Sequence, residues 1–200
     1  KAEHGELLVN RSIAYLRASR NGLTDDEILD VLRHDSDYWD DFYAKSFHKD
    51  ALDIMGSLPV VIWSRLYFDL APYMTQRSAD GTALWAFFHR QFNEVVDATY
   101  LGDDVRKARH AHLAGYFMRQ EVYLGDIPNA RKVSEQAYQQ AMAGMKDAYV
   151  DTLTTYQFLQ ASLDVNGVLA LIEDCGLMQD KVVRMIQSAL NMSAHVLVND

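Results

Sequence analysis

Cysteine is nearly absent from this sequence, which limits both the fold and the compartment. Cys175 is the only cysteine among 200 residues, so the chain has no disulfide framework. A chain without disulfides is typical of a reducing compartment, and we expect a cytoplasmic protein. Because a free cysteine in a helical pattern behaves as a small apolar side chain, we expect Cys175 to be buried and inert.

Long apolar runs are missing as well. No stretch approaches the roughly 18 residues that a membrane-spanning helix needs, and the N-terminus lacks the basic-then-apolar pattern of a signal peptide. The helical pattern begins within the first residues without a starting methionine, which suggests that further sequence precedes Lys1. We therefore expect a soluble piece of a longer protein that makes no membrane contact.

Basic residues are outnumbered by acidic ones. The chain has 19 Lys and Arg against 28 Asp and Glu, which gives a formal charge of -9. Binding to nucleic acid needs clustered Lys and Arg that neutralise the phosphate backbone. The balance therefore argues against a nucleic-acid partner and favours a protein partner.

Recognisable catalytic and metal-binding motifs are also lacking. No G-x-x-x-x-G-K-[ST] loop cradles phosphates, no apolar strand ends in paired acids for magnesium, and no G-x-S-x-G turn presents a nucleophile. His110 and His112 stand two residues apart, so a helix points them to different sides and they do not readily share an ion. We expect no metal site and no enzymatic activity from this chain alone.

The first part of the chain predicts helices followed by one hairpin. Apolar spacing predicts a helix over Leu7–Arg20, a second helix after the capping box Thr24–Glu27, and a fully buried helix that opens at Leu58-Pro59. Residues Asp35–Asp53 form a short helix or an ordered insertion. Asp80-Gly81 then favours a tight turn between two strands, about 73–77 and 82–88.

Three helices and a two-stranded hairpin follow one another in the order of a winged-helix domain, in which the hairpin is the wing. We assign residues 1–101 to this domain and expect no other hairpin. Residues 102–200 read as a helical linker and the first helical repeats, with helices over about 103–123, 129–143, 147–163, 166–175 and 179–197. The predicted fold is mainly α: a winged helix with one small β-hairpin, then antiparallel helical hairpins of α-solenoid, TPR-like type.

Four segments together resemble a known family. Leu84–Val95, with Phe87-Phe88-His89 and then Phe92 and Glu94, is similar to the end of the wing in NACHT-type STAND ATPases. This class includes animal nucleotide-binding, leucine-rich-repeat receptors and bacterial antiviral sensors. Ala14–Leu32, Leu58–Leu66 and His112–Phe117 look similar to its telomerase-associated and nephrocystin-like branch. The resemblance covers about residues 3–120.

The resemblance implies a role for one histidine in particular. His89 matches the winged-helix histidine that contacts the β-phosphate of bound ADP, and an imidazole at a helix start can donate to an anion. Arg90 is a weaker nucleotide-binding candidate, whose alternative role is a solvated surface charge. Phe87, Phe88 and Phe92 are expected to be core residues that fix His89, with Glu94 pairing locally or facing a neighbouring domain.

The function implied is regulatory. The winged helix senses ADP or ATP, which an upstream NACHT domain binds with Mg, and this segment binds no cofactor alone. A protein trigger at the helical repeats then drives homo-oligomer formation, in antiviral or innate immune defence. Two alternatives stay open: a winged-helix DNA-binding transcriptional regulator, in which Arg65 would be the one basic residue of the helix over Leu58–Leu70, and a passive helical scaffold in which His89 has no ligand.

Overall fold

The computed structural model describes residues 5–46 and 58–197, and the chain divides into two compact units, Lys1–His112 and Leu113–Asp200. The described residues are mainly helical with small antiparallel hairpins, which confirms the predicted fold class. The assigned domain boundary at 101/102 precedes the helix Asp103–Met118, whereas the units divide inside that helix. The first part of the helix belongs to the first unit because the Arg109 guanidinium donates to the Tyr15 hydroxyl at 2.9 Å.

The first unit is built from helices and one hairpin of six-residue strands. Its insertion begins as a helix, as predicted, and the predicted continuation beyond residue 46 lies outside the described residues. The elements in chain order are α1 (Glu6–Ala18), α2 (Asp25–His34), α3 (Ser36–Lys45), α4 (Val60–Leu70), β1 (Met74–Ala79), β2 (Thr82–Phe87), α5 (Arg90–Tyr100) and the first part of α6 (Asp103–Met118).

The connection between α1 and α2 lies against the hairpin. Gly22 adopts a φ of 111°, a conformation that favours glycine, and ends the turn after α1. Leu23 and Trp85 then exchange two backbone hydrogen bonds, with N–O distances of 3.1 and 2.8 Å. The Thr24 hydroxyl accepts from the Glu27 amide at 3.0 Å, and the Glu27 carboxylate accepts from the Thr24 amide at 2.9 Å. The predicted capping box is confirmed.

The predicted hairpin is also confirmed. β1 and β2 pair antiparallel from Met74 opposite Phe87 to Ala79 opposite Thr82. Asp80 and Gly81 both have positive φ, 54° and 73°, as the two central residues of a type I′ turn require. This turn suits the right-handed twist of the two strands it joins.

α4 is not the fully buried helix that its apolar sequence predicts. Val60, Val61 and Phe68 are 60%, 52% and 74% exposed. Because the neighbouring elements among the described residues cover only one side of the helix, burial is confined to one stripe with helical spacing. That stripe consists of Trp63, Leu66 and Leu70.

The second unit contains a further hairpin that the sequence interpretation missed. Strands of two residues are too short to show alternation, so the sequence pattern does not predict them. The elements in chain order are the remainder of α6, then β3 (Tyr123–Leu124), β4 (Ile127–Pro128), α7 (Ala130–Ala143), α8 (Lys146–Thr154), α9 (Tyr156–Cys175) and α10 (Lys181–Leu197).

The predicted helix over 147–163 is wrong in its extent. It ends at Thr154, because Thr155 has an extended backbone with φ −81° and ψ 120° and serves as the N-terminal cap of α9. α9 is itself interrupted at Gly167, whose φ is 77°. This interruption lies just after the break that the sequence predicts between 163 and 166.

The core of the second unit lies where α7, α8, α9 and α10 pack together. Lys132 in α7 donates to two carbonyl oxygens at the end of α6, those of Phe117 and Met118, at 2.8 and 3.3 Å. Burial lowers the pKa of Lys132, and its ammonium satisfies carbonyls that a helix end leaves without partners. The apolar core residues are Val133, Ala137, Tyr149, Leu153, Phe158, Ala161, Leu171, Cys175 and Val183.

Cys175 is expected to resist thiol reagents at pH 8 until the protein unfolds. The side chain is 2% exposed, and burial, with a smaller contribution from Asp174, raises the pKa of its thiol to about 11. Because the thiolate is the reactive form, the folded state suppresses both access and nucleophilicity. The raised pKa also means that this thiol's contribution to stability is lost as pH rises from the ordinary pKa towards 11.

The measurement is a timed reaction with a chromogenic disulfide in native buffer and in denaturant. A single cysteine gives a signal of one thiol per chain on unfolding. Cys175→Ser supplies the background rate. Complete reaction of the native protein within the mixing time would contradict the buried assignment.

Candidate functional site

His89 lies in the short connection that joins the hairpin to α5. It is the N-terminal cap residue of α5, with φ −83° and ψ 119°, and its side chain makes no capping hydrogen bond. Its carbonyl oxygen accepts from the Asn93 amide at 3.1 Å, which begins the helix. The imidazole is exposed. It therefore stands beside the first amides of a helix, which carry partial positive charge.

Two of the three phenylalanines expected to fix His89 pack against each other. Phe87 is 5% exposed, and its ring centroid lies 4.8 Å from that of Phe92. Phe92 also stacks on Tyr73 at 4.7 Å. The prediction is wrong for Phe88, which is 45% exposed, because strand alternation turns it away from the core.

Phe88 instead contacts the imidazole directly. The two ring centroids lie 3.9 Å apart with the planes tilted by 40°. The ring nitrogens of His89 make no capping hydrogen bond to the amides at the start of α5. The arrangement can present an N–H donor to a ligand outside the unit.

Arg90 lies on the surface, in keeping with its alternative role as a solvated charge. Its side chain is 92% exposed, and its Nε donates to the Glu94 carboxylate at 2.8 Å. The pair is an i, i+4 contact on the outer face of α5 and is worth little to stability at that exposure. Glu94 thus pairs locally, one of the two roles expected for it.

Two histidines considered as metal ligands do not form a centre. His110 is 4% exposed, while His112 has its Nε2 3.1 Å from the Val31 carbonyl oxygen. Within residues 5–46 and 58–197, no group of three or more His, Cys, Asp or Glu side chains is placed to hold a metal ion. The same residues contain no helix long and apolar enough to cross a membrane.

Asp35 is a shared buried acceptor in the first unit, and the sequence analysis does not predict this role. The carboxylate is 4% exposed, and its Oδ2 accepts from the Tyr15 hydroxyl at 2.5 Å and from Arg109 at 3.0 Å. Arg11 lies 2.9 Å from the same oxygen, and Oδ1 accepts from the Tyr38 amide at 3.2 Å. Burial, together with the nearby carboxylate, raises the pKa of Tyr15, so its hydroxyl donates as a neutral group.

Asp25 is another carboxylate that links distant elements of the first unit. Its Oδ1 accepts from the indole nitrogens of Trp63 and Trp85, the latter at 2.9 Å. One carboxylate at the start of α2 therefore ties that helix to α4 and to β2. Its partners are 38 and 60 residues away in sequence, so local pattern gives no signal for them.

Comparison with known proteins identifies relatives over part of the chain. No protein-family model and no solved structure gives a significant match. A stretch of 114 residues, 57% of the chain, is 38% identical to NACHT domain- and WD repeat-containing protein 1 of Homo sapiens and 34% identical to that of Mus musculus. NACHT and WD repeat domain-containing protein 2 of Homo sapiens is 26% identical over 115 residues.

The matched stretch is a small part of each relative. It spans 7% of the first two proteins and 6% of the third. The predicted relationship to NACHT proteins is confirmed in this coarse form. Over 57% of its length, the chain is therefore similar to segments of proteins that contain a NACHT domain and WD repeats.

Proposed function

We propose that this chain is a regulatory segment of a signal-transducing, STAND-type NACHT ATPase. The first unit is a winged helix whose His89 contacts the β-phosphate of ADP on an upstream NACHT domain, where Mg accompanies ATP. The second unit begins TPR-like helical repeats that bind a protein trigger. Trigger binding releases the histidine contact and permits homo-oligomers to form.

The order of elements in the first unit supports the winged-helix part of this proposal. α1, α2 and α4 precede a hairpin, as in a helix-turn-helix unit with a wing. The two hydrogen bonds between Leu23 and Trp85 join the α1–α2 connection to the wing. The hairpin therefore gains packing that an isolated pair of strands lacks.

The observation that carries the nucleotide role is the exposed imidazole at an uncapped helix start. His89 has no side-chain bond to the α5 amides, so both the ring and those amides are available to an anion. Helix N-termini attract phosphate through their amides and dipole. Since α5 and the hairpin meet at this residue, a nucleotide bound there would oppose any movement of the wing.

The relatives support the identity of the upstream partner. Their names state that they contain a NACHT domain, and this chain is similar to a segment of them. In the proposal, the parent protein hydrolyses ATP, resides in the cytoplasm and acts in antiviral or innate immune defence. Each of these parts goes beyond the matched segment.

The alternative as a DNA-binding regulator fits the first unit less well. The exposed side of α4 carries Val60, Val61 and Phe68, whereas DNA recognition needs basic and polar side chains there. Arg65 is the one basic residue of this helix. An apolar exposed side suits a protein surface better than a phosphate backbone.

His89→Ala in the purified parent protein is expected to weaken ADP retention by about ten- to hundredfold, because it removes one hydrogen bond to a charged phosphate. The measurement is the nucleotide released on denaturation, separated by anion-exchange chromatography, together with activity in the absence of the trigger. We expect less ADP and raised basal activity.

His34→Ala is the matched control, because it removes an exposed histidine at the end of another helix of the first unit. Arg90→Ala tests the weaker nucleotide-binding candidate in the same assay. If His89→Ala and His34→Ala retain equal ADP and equal basal activity, the chain acts as a scaffold and the nucleotide role is wrong.

A further inference from the structure

A basic cavity lies within the first unit, beside the hairpin. Its volume is about 150 Å³, and its polar lining includes Arg17, Arg20, Asn21, Arg77 and Asn93. His89 does not line it.

Three elements bring these arginines together. Arg17 is in the last turn of α1, and Arg20 follows in the connection to α2. The hydrogen bonds of Leu23 to Trp85 hold that connection against β2. Arg77 is opposite Leu84 in the hairpin, so the two side chains share one face of the sheet.

Asp97 is the acidic partner of Arg17 beside this cavity. Asp97 is 2.8 Å from the Arg17 guanidinium and 3.2 Å from that of Arg106, so one carboxylate serves two cations. The Nε of Arg17 is buried and has no hydrogen-bond acceptor among the described residues. Arg77 is exposed at the rim. The Arg17 Nε and the Arg77 guanidinium therefore offer hydrogen-bond donors to an anion.

The start of α5 adds partial positive charge beside the cavity. Asn93 lines the cavity one turn into this helix, whose first amides lack a side-chain cap. Helix starts favour negative charge, and arginine forks match the oxygens of phosphate in pairs. The small and polar lining disfavours an apolar ligand.

We propose that this cavity binds a phosphate group, either as inorganic phosphate or as part of a small phosphorylated molecule. The inference goes beyond the proposed nucleotide contact of His89, because the cavity lies entirely in this chain and needs no upstream domain. It differs from the expectation that this segment binds no ligand alone. A phosphate here would link the end of α1 to the wing and to α5.

Arg77→Gln is expected to weaken phosphate binding by about tenfold, since it removes one charge-assisted contact and leaves the ion pair of Arg17 intact. The probes are inorganic phosphate and, separately, ATP without metal, titrated into the 200-residue chain in a buffer free of phosphate and sulfate. The readouts are isothermal titration calorimetry and the arginine Nε–H signals in ¹H–¹⁵N spectra.

Arg65→Gln is the matched control, because it removes an equal charge from an exposed arginine outside the cavity. It should leave the affinity within about twofold of the wild type at matched salt. His89→Ala should also leave phosphate binding unchanged, which separates this site from the nucleotide contact. Tighter binding of ATP than of phosphate, with the same dependence on Arg77, would identify a nucleotide as the source.

Two results would overturn the inference. One is the absence of saturable binding by either probe to a wild-type chain whose spectrum shows it to be folded. The other is an equal loss of affinity in Arg77→Gln and Arg65→Gln, which would mean that the anion responds only to overall charge.

Discussion

Replacing Asp35 with alanine is expected to lower the free energy of unfolding of the first unit by about 3–5 kcal/mol. Its carboxylate is 4% exposed and lies 2.9 and 3.0 Å from the guanidiniums of Arg11 and Arg109. Without it, two largely buried cations would lack their shared anion, and the Tyr15 hydroxyl would lose its acceptor. An uncompensated buried charge costs far more than an exposed pair contributes.

The measurement is urea unfolding followed by tryptophan fluorescence, which reports on the first unit because all three tryptophans belong to it: Trp39, Trp63 and Trp85. Asp37→Ala is the matched control. Its carboxylate also pairs with Arg11, at 2.8 Å, but is 75% exposed, so we expect a loss below about 1 kcal/mol. A loss for Asp35→Ala as small as for Asp37→Ala would contradict the central role of Asp35.

The parts of the fold that sequence predicts well are those whose partners lie close in the chain. Thr24 and Glu27 satisfy each other's backbone within one helical turn, so the capping box is visible as a four-residue pattern. Asp80 and Gly81 determine the hairpin turn through their own φ angles. Neither feature depends on what the rest of the chain does.

Partners that are distant in sequence leave no such pattern. Asp35 meets Arg109 across 74 residues, and before folding it is one acid among several in the insertion. The exposure of α4 has the same origin, since an apolar helix is buried only where another element covers it. Val60 and Phe68 have no such cover among the described residues of the first unit.

Some polar side chains of the second unit are buried with no signal in the local pattern. Glu135 and Gln139 are 0% exposed. Gln139 donates to the Glu135 carboxylate at 2.8 Å, and Arg131 lies 3.5 Å from it. Burial of a charge is tolerated where such partners exist, and apolar spacing alone does not reveal them.

The same distinction between local and distant partners applies to His89 and to the basic cavity. The resemblance of Leu84–Val95 to the NACHT-type pattern singles out His89, and the structure places it exposed at the start of α5. The basic cavity does not follow, because it requires Arg17 and Arg77 to meet from a helix and a strand. Tertiary structure, not a motif, creates that site.

Replacing Gly22 with alanine is expected to destabilise the first unit by about 3 kcal/mol or more. A Cβ at this position would lie 2.4 Å from the Trp85 carbonyl oxygen and 3.2 Å from the Leu84 Cβ. The φ of 111° is also unfavourable for any L side chain. The chain can relieve the clash only by moving the Leu23–Trp85 pairing, which joins the hairpin to the α1–α2 connection.

Gly81→Ala is the matched control because Gly81 also has a positive φ, 73°, but a Cβ there would meet no atom within 4 Å. We expect it to cost about 1 kcal/mol from backbone strain alone. Urea unfolding gives both losses, and hydrogen exchange at the Leu23 and Trp85 amides reports whether the pairing opens. Equal losses in the two variants, with both amides still protected in Gly22→Ala, would show that the close approach to Trp85 does not hold the hairpin in place.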